Sequence, residues 1–104
     1  MLGAQKLQKE VVMTRQTEPS ELSQVGEMVR GIVLAIVDLE DRVVVTEVTG
    51  TQSVVIEVDV DRSDRGKVIG KKGAHAQAIR KIIDAAAGKA KRRYILEIIE
   101  DRRD

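Results

Sequence analysis

Two lysines stand between two glycines at Gly70-Lys71-Lys72-Gly73, with apolar Val68 and Ile69 before them and an alanine-rich run, Ala74 to Ala87, after them. Glycine at both ends allows backbone angles that other residues resist, and it removes the Cβ that would hold a ligand at a distance. The run that follows has helical spacing, so the turn sits at a helix start. There the first N–H groups lack intrahelical partners and the helix dipole is positive. Paired cations beside such amides make a seat for a phosphate. The chemistry on offer is anion capture, and the ligand that fits is a nucleic-acid backbone.

Bond-making chemistry finds little support. Gly66 to Gly73 is no nucleotide-binding P-loop, because no hydroxyl residue follows Gly70-Lys71. The chain has no cysteine, which removes a thiol nucleophile, a thiolate metal site and a disulfide frame. His75 is the sole histidine, so no second imidazole can build a base relay. The carboxylate pairs Glu40/Asp41 and Asp59/Asp61 have no histidine beside them and read as turn and cap residues. No enzyme, metal or cofactor is expected.

The 104 residues fit one domain with short tails. No apolar run approaches the ~20 residues of a membrane span, and the N-terminus lacks a secretory apolar region. A soluble cytoplasmic protein without membrane contact is expected. Tyr94 is the only aromatic residue, so the core must be aliphatic. The ring platforms on which many single-strand binders stack bases are missing.

A formal net charge of +1 hides an uneven distribution. Residues 1–61 carry five Lys/Arg against eleven Asp/Glu, whereas residues 62–93 carry eleven against Asp64 and Asp84 alone, a net of +9. The basic block surrounds the glycine turn, as a phosphate-pairing surface requires. A solvated charged face is the alternative reading of the same block.

These residues need elements to hold them. Residues 1–20 are weakly patterned and read as an N-terminal extension, mobile or partly helical, with Pro19 marking a boundary. The large apolar residues at 22, 25, 28, 29, 32, 33, 36 and 37 have helical spacing, with Ser20 or Ser23 as the cap. Arg42 to Val48 reads as a strand, Thr49 to Gln52 as a turn, and Ser53 to Val60 as a strand whose Val54, Ile56, Val58 and Val60 face one way. Asp61 caps a short helix, Arg62 to Ile69, in which Gly66 suggests close packing or the approach of a ligand. The next helix buries Ala76, Ile79, Ile82, Ile83 and Ala86, with Gly88 as its stop. A basic loop, Lys89 to Arg92, leads into a strand from Arg93 to Ile99 with Tyr94, Leu96 and Ile98 on one face. Residues 101–104 form a polar tail. Three strands covered on one face by three helices make an α+β, two-layer domain over residues 21–100.

This order, with Val68-Ile69-Gly70-Lys71-Lys72-Gly73 between the last two helices, resembles a KH domain of the prokaryotic type, type II (α-β-β-α-α-β). In KH domains a Gly-x-x-Gly loop clamps the backbone of a short single strand. The chain is most similar to the small bacterial single-KH RNA-binding proteins, the KhpA family. The likeness runs from about Val25 to Glu100. It includes Val54-Val55-Ile56-Glu57-Val58, Gly66 to Gly73, Ala78-Ile79-Arg80 and Leu96-Glu97-Ile98-Ile99. Residues 1–20 depart from the family pattern. The resemblance implies a groove walled by the glycine turn with its two helices on one side, and on the other by a strand and the loop before the last strand, Lys89 to Arg92. It implies a site for ~4 nucleotides of single-stranded RNA, a role in bacterial RNA regulation or as a chaperone-like RNA binder, and pairing with itself or with a second KH-containing protein.

The candidate RNA-binding residues are Gly70, Lys71, Lys72 and Gly73 at the turn, with Lys67, Ile69, His75, Arg80, Lys91 and Arg92 around it. Lys71 and Lys72 supply charge to phosphates and do not read bases. Lys67 and Arg80 are secondary phosphate contacts, or else solvated helix charges. A lone histidine such as His75 in a first helical turn is more often a surface residue than a ligand, and Ile69 reads equally as core or groove floor. Two other functions fit less well. A helix-turn-helix DNA reader would want base-reading side chains where this helix is rich in alanine. A protein-interaction module would use the glycine turn only to fold.

Overall fold

The computed structural model describes residues 22–100 and the backbone of Arg15–Gln16. The rest of the expected extension, and the tail 101–104, lie outside the described residues. In chain order the elements are β1 (Arg15–Gln16), α1 (Gln24–Ile36), β2 (Val44–Thr49), β3 (Ser53–Asp59), α2 (Arg62–Ile69), α3 (Ala74–Ala90) and β4 (Arg93–Ile98), with 3-10 turns at Glu40–Arg42 and Lys71–Gly73. No helix among the described residues is long and apolar enough to cross a membrane.

The three longer strands and three helices form the expected α+β domain. The sheet order is β1-β2-β3-β4. β2 and β3 form an antiparallel hairpin, with Val45 opposite Val58 and Thr49 opposite Val54. β4 returns parallel to β3, with Ile56 beside Leu96. β1 adds two residues to the outer edge of β2, Arg15 opposite Val48 and Gln16 opposite Glu47. So short a ladder leaves no alternation to read in the sequence.

All three helices pack on one face of the sheet. Val25, Val29, Val33 and Val37, four residues apart, meet Val45, Ile56, Val58, Leu96 and Ile98 from the strands and Val68, Ala76, Ile79 and Ile83 from α2 and α3. Val29, Val33, Ile56, Val58 and Val68 are wholly inaccessible, and each such side chain contributes roughly 1.5–3 kcal/mol by leaving water. The expected stripe of α3 is narrower than its apolar content: Ile82 is 48% exposed. Ala76, Ile79 and Ile83 share one side of the helix at its turn spacing, and Ile82 falls beyond that stripe.

Both ends of α1 are fastened by buried carboxylates. Ser23 caps the start, its hydroxyl accepting from the Gly26 N–H at 3.1 Å. The same hydroxyl donates to Oε2 of Glu47 at 2.5 Å, and the Ser23 N–H donates to that oxygen at 3.0 Å. Glu47 is only 3% exposed, although it sits on a strand. Gly26 makes room for it, since a Cβ there would lie 2.0 Å from Oε2. At the other end Asp64, 1% exposed on α2, accepts from the N–H groups of Asp38 at 3.1 Å and Leu39 at 3.0 Å. The Leu39 and Asp38 N–H groups hold its carboxyl below the usual carboxylate range.

α3 also runs past its expected stop. The helix continues through the exposed Gly88 to Ala90, and Lys91 (φ 60°) supplies the left-handed turn instead. Lys91 and Arg92 then both donate their N–H groups to the Ala87 carbonyl, at 2.8 and 3.3 Å. The Arg92 guanidinium reaches the Gly50 carbonyl at 2.9 Å, tying the helix end to the hairpin turn. The helix thus ends at Lys91 and not at the glycine. Gly66 likewise packs against nothing, a Cβ there meeting no atom within 4 Å.

Candidate nucleic-acid interface

α2 ends where the Gly70 N–H closes onto the Gly66 carbonyl at 2.8 Å. The chain then turns through Gly70 (φ 82°), Lys72 (φ 57°) and Gly73 (φ 77°) before α3 begins. Positive φ at three of these four corner positions explains the glycines. It also puts Lys72 in a conformation that costs about 1–2 kcal/mol, the kind of local strain that gathers at binding sites. The two glycines serve different needs. A Cβ on Gly70 would sit 2.6 Å from the backbone nitrogen and Cγ of His75, whereas one on Gly73 would meet nothing within 4 Å. Gly70 lets His75 fold beneath the corner, and Gly73 leaves an open approach for a ligand.

The free amides inferred from sequence are fewer than expected. The Gly73 N–H donates to the Gly70 carbonyl at 3.0 Å and the Ala74 N–H to the Lys71 carbonyl. The 3-10 turn thus uses two donors internally. No side chain caps the start of α3, and Lys71 and Lys72 both lie exposed. Attraction for an anion here therefore comes more from the ammonium groups than from the backbone.

The corner opens onto a cleft of about 330 Å³ between α3 and β4. Ile69, Gly73, Ala76, Gln77 and Arg80 line the helix side, and Leu96, Glu97, Ile98 and Glu100 the strand side. A second cleft of about 230 Å³ shares Arg80 and Leu96 with it and runs on along α3 to Arg93. β4 is the free edge of the sheet among the described residues, so the groove has a strand edge for one wall. A larger cleft, about 430 Å³, lies between the start of α1 and the far end of α3, at Met28, Ala86, Lys89 and Tyr94, at the other end of α3 from Lys71 and Lys72.

The structure brings Gly70, Lys71, Lys72, Gly73, Ile69, His75 and Arg80 to this corner and its groove. Ile69 is both half-buried against the core and part of the groove lining. Nδ1 of His75 lies 2.7 Å from the Lys67 carbonyl. A carbonyl can only accept, so Nδ1 carries the hydrogen and the imidazole braces the end of α2. Lys67 is engaged elsewhere. Its ammonium pairs with Asp38 and lies 3.8 Å from Asp64, and Asp38 foremost raises its pKa above the usual lysine value. Lys91 and Arg92 stand at the other end of a 17-residue helix, about 25 Å from the corner, and Arg92 is held by Gly50.

Gln77, Arg93 and the β4 residues of the groove were not singled out in the sequence. Gln77 lies one turn after Gly73 on the side of α3 away from the core, a position readable in retrospect. The β4 contribution depends on the parallel return of the chain, which no local pattern encodes. One further tie fixes the groove's end: the Arg65 guanidinium donates to the Glu100 carbonyl, while its Nε is buried without a partner.

The family model of the KhpA/KhpB KH domain matches residues 26–98, from the first turn of α1 to the last residue of β4. Among curated relatives, the RNA-binding protein KhpA of Caldanaerobacter subterraneus subsp. tengcongensis is 54% identical over 74 residues, covering 71% of this chain and 99% of the relative. The RNA-binding protein KhpA of Clostridium acetobutylicum is 48% identical over 73 residues, 70% of this chain and 97% of the relative. That of Aquifex aeolicus is 49% identical over 65 residues, 62% and 82%. No solved structure matches the chain. A glycine-lysine corner between the last two helices, a groove against an edge strand and this span of matched residues lead to one statement: the chain belongs to the KhpA/KhpB KH-domain family.

Proposed function

We propose that this chain binds single-stranded RNA, seating a short stretch of sugar-phosphate backbone on the Gly70–Gly73 corner and laying its bases along the α3–β4 groove. The observation that carries this reading is the pair of exposed lysines, held in a strained positive-φ turn at the mouth of that groove. Supporting it, relatives that align over nearly their whole length are named RNA-binding proteins. Arg80, exposed on the groove's helix wall and in no ion pair among the described residues, is the next phosphate contact. Lys67 plays a structural part in this scheme, and Lys91 and Arg92 contact only a strand long enough to run the length of α3. The role is binding without catalysis, in the bacterial cytoplasm, in RNA regulation or RNA chaperoning. Pairing with itself or with a second KH-containing protein belongs to the same reading. Leu39, Val44, Ile82 and Ile95 offer it exposed apolar surface.

The test is fluorescence anisotropy with a short single-stranded RNA. Replacing both lysines, Lys71→Asp with Lys72→Asp, should leave the circular-dichroism spectrum intact and weaken binding by about 100-fold or more, reversing two phosphate contacts. Wild-type affinity should fall with salt, with a log–log slope of about −2 for some three phosphates. Unchanged affinity in a folded double variant would refute the reading. Preference for duplex DNA over short single strands would favour the helix-turn-helix alternative.

A further inference from the structure

The helices cover one face of the sheet, and the other face carries an aliphatic row. Side chains alternate along a strand. With Val45, Ile56 and Leu96 turned to the helices, Val48, Val55 and Ile95 point the opposite way. These three stand side by side in register from β2 to β4. Val48 and Val55 are half-buried, and Ile95 is 38% exposed. In the next row exposure grows away from β1: Thr46 is 7% exposed, Glu57 half-buried and Glu97 exposed. A sheet tolerates one wet face, but a continuous aliphatic row across three strands gains by being covered.

The chain itself arrives at this row. β1 runs antiparallel to β2 with Arg15 opposite Val48. The chain therefore enters β1 from the hairpin-turn end, level with Val48, Val55 and Ile95. Fourteen residues precede that point. As a helix they would extend about 21 Å, against about 14 Å from β1 to β4. Ala4, Leu7 and Val11 recur at helical spacing, and Lys6 and Lys9 fall on the opposite side. Charge agrees with this seat. The segment has Lys6 and Lys9 against Glu10, whereas the open face has Glu57, Asp59 and Glu97 against Arg93. The cleft at Met28 and Tyr94 is the competing seat, but Lys89 lines it. The segment is also outside the shared domain, since the KhpA/KhpB match begins at residue 26.

We propose that residues 1–14 lie across the open face of the sheet, with the side bearing Ala4, Leu7 and Val11 against Val48, Val55 and Ile95. The pairing of β1 with β2 holds the segment beside its seat, so that docking is intramolecular and needs little affinity of its own. Covered in this way, Ile95 is closed to a partner chain until the segment is displaced. The proposal stands apart from the RNA-binding reading, because the glycine-lysine corner belongs to the helix side of the sheet.

The chain has no cysteine, so Gln5→Cys places a single nitroxide spin label on the segment. In amide NMR spectra of the full chain, Val55, Glu57, Ile95 and Glu97 should lose most of their signal relative to the reduced label. Met28 and Gly70 to Gly73 should keep theirs. Leu7→Asp with Val11→Asp, both outside the matched domain, should restore the lost signals and leave the other amides in place. Ile95→Lys should do the same from the sheet side. Undiminished signals along β3 and β4, or loss centred on Met28 and Tyr94, would overturn the proposal. So would the same loss in a mixture of isotope-labelled chains without nitroxide and nitroxide-bearing chains without isotope, because the segment would then sit on a second copy.

Discussion

α1 and α3 begin beside glycines, and their starts are built in opposite ways. At α1 the N-terminal donors meet Ser23 and the buried Glu47, and Gly26 exists so that the carboxylate can come close. At α3 no side chain caps the start, the space over Gly73 is empty, and two lysines face solvent. A protein that needed only to fold would close both, since an uncapped helix start costs about 1 kcal/mol against a capped one. The difference separates an anchor from a docking site. One start holds its anion permanently, from its own chain, and the other presents cations where an outside anion can arrive.

Breaking the closed start should cost most. Glu47→Ala leaves two part-buried donors on Ser23 without their acceptor, and unfolding in urea should show a loss of about 2–3 kcal/mol, with RNA affinity of the folded fraction unchanged. A loss of RNA affinity with stability intact would erase the distinction between the two starts. The glycines sharpen it next. Gly26→Ala should cost about 1–3 kcal/mol by collision with Glu47, and the cost should shrink in the Glu47→Ala background, a coupling visible in a double-mutant cycle. Gly73→Ala should cost about 1–2 kcal/mol from backbone angle alone, with no such coupling, and should weaken RNA binding as well.

The smallest effect concerns the far end of α1. Asp64 is held below the usual carboxylate range by the Leu39 and Asp38 N–H groups. A depressed carboxylate contributes stability that is fully present above the ordinary range and lost as pH falls through the folded value. Urea midpoints should therefore be flat near neutrality and fall below about pH 4. Asp64→Asn should be less stable at pH 7 and show a shallower acid fall. Identical acid profiles would assign the pH dependence to other carboxylates.

Much of the fold was legible because its signals are local. Ser23 and Asp61 cap by side chains two or three residues from their targets, and the four-residue spacing of Val25 to Val37 marks a buried helix face directly. The alternation of Val54, Ile56 and Val58 did the same for β3. The glycine-lysine corner could be read from its type and place between helices. What could not be read depends on residues far apart in the chain. Glu47 looks like a solvent-facing strand residue until the start of α1 arrives 24 residues away. Lys67 looks like a free cation until Asp38, 29 residues earlier, takes its ammonium group. The end of α3 is tied to the hairpin turn by Arg92 reaching Gly50 across 42 residues. Sequence misleads most where a charged side chain has a distant partner.

The most direct test is an NMR titration of the full chain with a short single-stranded RNA, following backbone amide shifts. If the open helix start is the docking site, the largest shifts will fall on Gly70 to Gly73, on Gln77 and Arg80, and along β4 from Leu96 to Ile98, while Ser23 to Gly26 stay still. Shifts centred instead on the cleft at Met28 and Tyr94, with the lysine corner unmoved, would contradict the account.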